Sequence, residues 1–129
     1  MNRIEIIDAI ARVVHETNKA MCEAYDDYTQ PSWGDAPDWM KRSSREVVEL
    51  YLKRPTAGAD ANHEAWVKAK QAAGWQWGQR KDADAKTHPD MVPFYRLAPE
   101  QKVKAHAIRQ VVLSMRRFVV STNSGRVGS

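Results

Sequence analysis

The sequence predicts a mainly α-helical domain with a small β component, an α+β arrangement whose helices carry the core. Three observations lead there. Apolar residues recur at helical spacing near the start, middle and end of the 129-residue chain. Strand-period alternation is confined to Trp75-Gln76-Trp77-Gly78. The intervening segments are broken by proline and glycine, which neither period tolerates. At roughly 100–200 residues per domain, the length allows one compact domain or two small halves on a shared core.

From Asn2 to about Tyr28, Ile7, Ile10, Val14, Met21, Tyr25 and Tyr28 fall at spacings of three, four and seven, with Thr17 on the remaining rung. They form one face of a long amphipathic helix. Gln30-Pro31-Ser32-Trp33-Gly34-Asp35-Ala36-Pro37 then reads as a structured loop, flanked by Trp33 and Trp39, which pack on helices or face a ligand. Ser43 and Glu46 have the spacing of a capping box, which opens a short helix through Val47, Val48, Leu50, Tyr51 and Leu52 that Pro55 stops. Asp60 or Asn62 caps a third helix to Ala73, and Gly74 takes the left-handed position after it. Trp75 to Gly78 is a short strand, and Val92-Pro93-Phe94-Tyr95 is at most an edge strand because of its proline. The last helix starts at Pro99 and shows Val103, Ile108, Val111, Val112, Met115 and Phe118 on one face. From Ser121 the periodicity ends.

The small, polar Thr56 to Asp60 connector divides the chain into an N-terminal helical half over 1–55 and a second half over 60–120, followed by a flexible tail over 121–129. The halves echo each other. His15-Glu16 matches His63-Glu64, and Ala36-Pro37-Asp38-Trp39 resembles Val92-Pro93-Phe94-Tyr95, so the chain reads as a degenerate tandem repeat with pseudo-two-fold symmetry and a cleft between the halves.

Composition excludes several classes. No apolar run approaches the roughly 18 residues of a membrane helix. Glu5 and Asp8 stand where a signal peptide needs an apolar region, and the single Cys22 cannot form an internal disulfide, so a cytoplasmic location is expected. The net charge is +4. Residues 1–30 carry three basic and six acidic side chains, whereas the rest carries seventeen and ten, an excess suited to an anion. Lys and Arg are interspersed with Asp and Glu rather than gathered on one helix, which favours a small phosphorylated ligand over nucleic acid. Neither Cys-x-x-Cys nor His-x-x-x-His spacing is present, so no metal and no cofactor is expected. Nor is there a Gly-x-Ser-x-Gly, a Walker loop or a carboxylate pair, so an enzyme is not expected. The long first and last helices carry more apolar face than one small domain covers, which points to a homodimer.

One ordered set of motifs goes further. Asn62-His63-Glu64-Ala65-Trp66, Gly74-Trp75-Gln76-Trp77-Gly78, Lys81-Asp82, Lys86-Thr87-His88-Pro89, Val92-Pro93-Phe94-Tyr95, Leu97 and Pro99-Glu100 together resemble the ryanodine receptor repeat, the RyR domain, over roughly residues 60–116. The sequence departs from the family pattern at Trp77, where tyrosine is usual, and at the doubled aromatic Phe94-Tyr95. With His15-Glu16-x-Asn18-x-Ala20 and the loop from Gln30 to Trp39, the chain is similar to stand-alone members encoded by bacteriophages and prophages. The resemblance implies a mostly helical fold with short β-hairpin elements. In the calcium channels the repeat is a peripheral module with an adenine nucleotide against its tryptophans. In prokaryotes the family is associated with NAD-derived nucleotides, the signals of antiphage defence.

The residues themselves suit such a ligand. An adenine stacks on indole for about 1–3 kcal/mol, and Trp66, Trp75 and Trp77 lie close together, with Trp75 and Trp77 on one face of the strand. Arg80, Lys81, Lys86 and His88 form a basic loop able to bond phosphate oxygens. Lys70, His63, Tyr95, Arg96 and Trp39 complete the candidate set. The expected function is non-enzymatic binding of an adenine or ADP-ribose-derived nucleotide of the cyclic ADP-ribose type, with sequestration of a defence signal as its use. The alternatives are a protein-interaction module using the aromatic surface, a nucleic-acid binder, and a hydrolase of the same nucleotide.

Overall fold

Asn2 starts the first helix: its side-chain oxygen accepts the Glu5 backbone N–H at 2.8 Å, and its own N–H donates back to the Glu5 carboxylate at 3.3 Å. The computed structural model describes residues 1–128, with side chains through residue 119. Helix α1 spans Arg3–Ala24, α2 Asp38–Lys53, α3 Ala61–Ala72 and α4 Pro99–Gly128, with two-residue strands β1, Gln76–Trp77, and β2, Thr87–His88. Short 3-10 turns at Trp33–Asp35 and Phe94–Arg96 precede α2 and α4. The mainly helical class is as expected.

One core serves the whole chain. Helix α1 packs against both α2 and α4, which also touch each other. Ile7, Ile10 and Val14 of α1 meet Val48 and Tyr51 of α2 and Val112 of α4, all buried, with Trp33 closing one end. Burial of apolar side chains of this size contributes about 1.5–3 kcal/mol each. The surface pairs Arg45–Asp8 (2.7 Å) and Arg3–Glu49 (3.4 Å) add little to the α1–α2 seam, since both partners are solvated.

Several element boundaries differ from the sequence reading. Asp26 takes a φ of 63° just after α1, so Tyr25 and Tyr28 leave the helical face and are exposed. Helix α2 begins after Pro37, not at Ser43; a capping-box spacing inside a helix has no free N–H groups to satisfy, and Ser43 and Glu46 make no cap bonds. Val92 to Tyr95 is no strand, because Pro93 leads directly into a 3-10 turn. The expected β-hairpin is instead a parallel pair, Gln76 with Thr87 and Trp77 with His88, joined by one antiparallel bridge between Asp82 and Thr87. In α4, Val112 and Val119 are buried and Ile108, Val111 and Met115 pack on the core, whereas Val103 and Phe118 are exposed. The helix continues to Gly128, past the Ser121 where a tail was expected; the side chains of 120–129 lie outside the described residues.

Helix α3 buries only Ala61 and is held from its ends. The connector before it is fixed by Tyr51, whose buried hydroxyl donates to the Gly58 carbonyl at 2.8 Å, and by Arg109, whose guanidinium donates to the Ala57 carbonyl at 2.7 Å. Burial raises the Tyr51 pKa above the usual phenol value, which keeps this donor protonated. After α3, Gly74 adopts a φ of 89°, and Lys86 donates through Nζ to the Ala73 carbonyl at 3.0 Å. Gly78 lies so close to β2 that a Cβ there would stand 2.6 Å from that of Thr87.

The internal echo exists, in another register. His15 Nε2 lies 2.7 Å from the Pro31 carbonyl, and His63 Nε2 lies 2.7 Å from the Val92 carbonyl. Two residues after each carbonyl comes the aromatic that opens the 3-10 turn, Trp33 or Phe94, with its ring against the same histidine at 5.8 or 6.2 Å. Three residues further on stands a buried Ala36 or Leu97, and two more bring the first residue of α2 or α4. Thus Pro31 corresponds to Val92 and Trp33 to Phe94, rather than Ala36 to Val92. The second half is longer by the segment that carries β1 and β2.

A carbonyl only accepts, so each histidine must donate an N–H. We expect His15→Leu and His63→Leu both to lower the unfolding midpoint, because each leaves a partly covered carbonyl unpaired at a cost of about 1–3 kcal/mol. The His15 variant should lose more, its ring being buried. Thermal unfolding followed by circular dichroism measures this, and an unchanged midpoint for both would contradict the role given to the pair.

Candidate functional site

An open cavity of about 460 Å³ lies between α3 and the three-helix core. That volume is within the range of sites for small organic ligands. Its walls come from α1 (Asn18), α2 (Glu46, Tyr51), α3 (His63, Trp66), β2 (His88) and α4 (Gln101, Lys104). Because α3 is tied at its ends and buries little, its inner face is left to form a wall rather than core.

The aromatic part of the wall is a connected group. Trp66 stacks on His63 with ring centres 5.7 Å apart and an interplanar angle of 28°, and meets the His88 ring nearly edge-on at 4.9 Å. Phe94 also approaches His63, with ring centres 6.2 Å apart. His63 is fixed by its bond to Val92, and His88 accepts the Asp90 backbone N–H on Nδ1 at 3.0 Å. With Nδ1 accepting, the His88 proton sits on Nε2. Trp66 is therefore braced by two imidazoles that are themselves oriented by backbone groups.

The charged lining is sparse. Glu46 and Asp90 are its acids, and Asp90 is engaged by Gln101 Nε2 at 2.9 Å. Lys104 is the one lysine or arginine in the lining, and its ammonium lies 3.6 Å from the buried Cys22 Sγ. Asn18 and Asn62 carry side-chain amides with no hydrogen-bond partner among the described residues, so both can serve a ligand. Sequence reasoning missed Asn18, Asn62, Gln101 and Lys104. Asn18 and Asn62 stand within the motifs that carry the resemblance, but only packing places the inner faces of α1 and α4 opposite Trp66.

Of the residues singled out from sequence, the structure brings His63, Trp66 and His88 together in this cavity. The others lie outside its lining. Trp75 is partly covered by Lys70, whose Nζ sits 4.1 Å from the indole centre, while Trp77 is 54% exposed, so the two are not equally available. Lys86 closes the end of α3, and the Arg80 carbonyl accepts the Thr87 hydroxyl at 2.9 Å, making that loop a structural turn. Arg80 and Lys81 are solvent-exposed. Tyr95 is exposed beneath the Arg96 guanidinium at 5.8 Å, and its carbonyl accepts Lys102. Trp33 is buried, whereas Trp39, 63% exposed, lines a second cavity of about 270 Å³ that adjoins the first.

Among the described residues no cluster of His, Cys, Asp and Glu has the arrangement of a metal site, and no helix is long and apolar enough to cross a membrane. The family model described as RyR domain matches residues 41–122. That span takes in every cavity wall named above except Asn18. No curated protein matches the chain.

The His88 pKa is lowered from 6.5, chiefly because burial disfavours the cation, with Lys81 and Lys70 adding to the effect and Asp90 opposing it. The unfolded chain therefore binds the proton at a pH where the folded one does not. Stability linked to His88 is fully present above pH 6.5 and is lost as pH falls through the lower folded-state value. Unfolding midpoints measured from pH 7.5 downward should decline, and His88→Gln should flatten the decline. A wild-type midpoint that rises on acidification would contradict this.

Proposed function

The chain belongs to the RyR domain family, and on that premise we propose that it binds, without cleaving, an adenine-containing nucleotide of the ADP-ribose type in the cavity between α3 and the core. The observation that carries the reading is Trp66, an indole wall held by His63 and His88 inside a cavity of about 460 Å³. An adenine stacked there gains about 1–3 kcal/mol. The Asn18 and Asn62 amides suit the donor and acceptor edge of the base or the ribose hydroxyls, and Lys104 provides the cation for a phosphate. The phosphate role thus passes from the loop carrying Lys81 and Lys86 to α4.

Held intact, such a ligand is withdrawn from whatever reads it. In a phage-encoded protein acting in the host cytoplasm, that is a sponge for a defence signal of the cyclic ADP-ribose kind. Exposed Ile4 and Val103 favour self-association, so a homodimer belongs to the same proposal. A second reading, a protein-interaction module, draws on Trp39, Trp77 and Tyr95, all more than half exposed.

Thermal unfolding with adenosine, ATP, NAD, ADP-ribose and cyclic ADP-ribose isomers tests the reading. A ligand at about 100 times its Kd adds roughly 2.7 kcal/mol, a shift of several degrees for a domain of this size. We expect such a shift with an adenine nucleotide, its loss in Trp66→Ala, and recovery of unaltered ligand after denaturation. A flat panel would overturn the nucleotide reading and favour the interface.

A further inference from the structure

The cavity of about 270 Å³ on the first-half side shares Asn18, Ser43, Val47, Asn62 and Ile108 with the larger one, so the two are lobes of one cleft. Their chemistry differs. The larger lobe contains Lys104, Glu46 and Asp90; the smaller one has no lysine, arginine, aspartate or glutamate in its lining. Its histidine, His15, has Nε2 committed to the Pro31 carbonyl. What remains is a neutral set: the Trp39 indole at the rim, the Gln30 and Asn18 amides, and the Ser44 hydroxyl. Ser44 is 8% exposed, and its hydroxyl has no hydrogen-bond partner among the described residues. The Gln30 side chain likewise has none.

We propose that this lobe is a second subsite for an uncharged ring, so that the ligand carries two ring systems joined through phosphate, one on Trp66 and the other against Trp39. Leaving a phosphate in a lobe without a cation has no compensation, whereas an indole and unpaired amides suit the face and edge of a base or the hydroxyls of a ribose. The shared residues Asn18 and Asn62 stand where the arms join. This inference rests on the nucleotide reading and narrows it to ADP-ribose-like molecules and dinucleotides, excluding mononucleotides as the preferred ligand.

Titration calorimetry with AMP, ADP-ribose and an adenine dinucleotide separates the two ideas. At least one of the two-ring ligands should bind ten-fold or more tightly than AMP. Trp39→Ala should remove that advantage and leave AMP affinity within two-fold, while Trp66→Ala weakens all three. Trp39 is largely solvated, so its replacement should leave the circular dichroism and unfolding midpoint unchanged; Gln30→Ala on the same lobe gives a second check. If AMP binds as tightly as both two-ring ligands, or if neither first-half substitution reduces the advantage, the second subsite is overturned and the nucleotide reading stands. If none of the three binds, both are overturned.

Discussion

Two histidine-to-carbonyl hydrogen bonds set the backbone of the two loops that lead into α2 and α4. The core is made by α1, α2 and α4. The loops that enter α2 and α4 bury Trp33, Ala36, Met91 and Leu97, but they have no regular backbone pairing, and proline has removed some of their N–H donors. His15 and His63 fix these loops through the Pro31 and Val92 carbonyls. Each bond sets the start of a 3-10 turn and, five residues beyond its aromatic, the start of a long helix. Because the histidine must donate from Nε2, its ring plane is set as well, and the neighbouring aromatic packs against a defined surface.

The same device in two places has different consequences. In the first half the ring is buried against Trp33, and the arrangement belongs to the core. In the second half α3 stands away from the three packed helices, and the fixed ring becomes one side of the brace around Trp66. The inserted segment with β1 and β2 supplies His88 for the other side. A cavity results because α3 is tied by polar bonds at its ends rather than by apolar burial along its length.

The basic residues after β1 were attractive as phosphate ligands by proximity in sequence, yet Lys86 caps a helix end and the backbone around Arg80 closes a turn. The cation that does line the cavity, Lys104, comes from the helix entering after the second 3-10 turn. A diffuse excess of positive charge over residues 31–129 indicates an anion without indicating which lysine meets it.

Helical class, the approximate extent of α1 and α3 and the start of α4 were legible in the sequence, because apolar spacing, Gly74 and Pro99 act through local geometry. So were His63, Trp66 and His88, whose motifs also carry the family resemblance. The helix start at Asp38, the parallel pairing of β1 with β2, the exposure of Tyr25, Tyr28 and Phe118, and the roles of Asn18, Asn62 and Lys104 were decided only by tertiary structure. Each depends on what another element presents across space. A period identifies the face of a helix, but only packing determines which part of that face meets core, cleft or water.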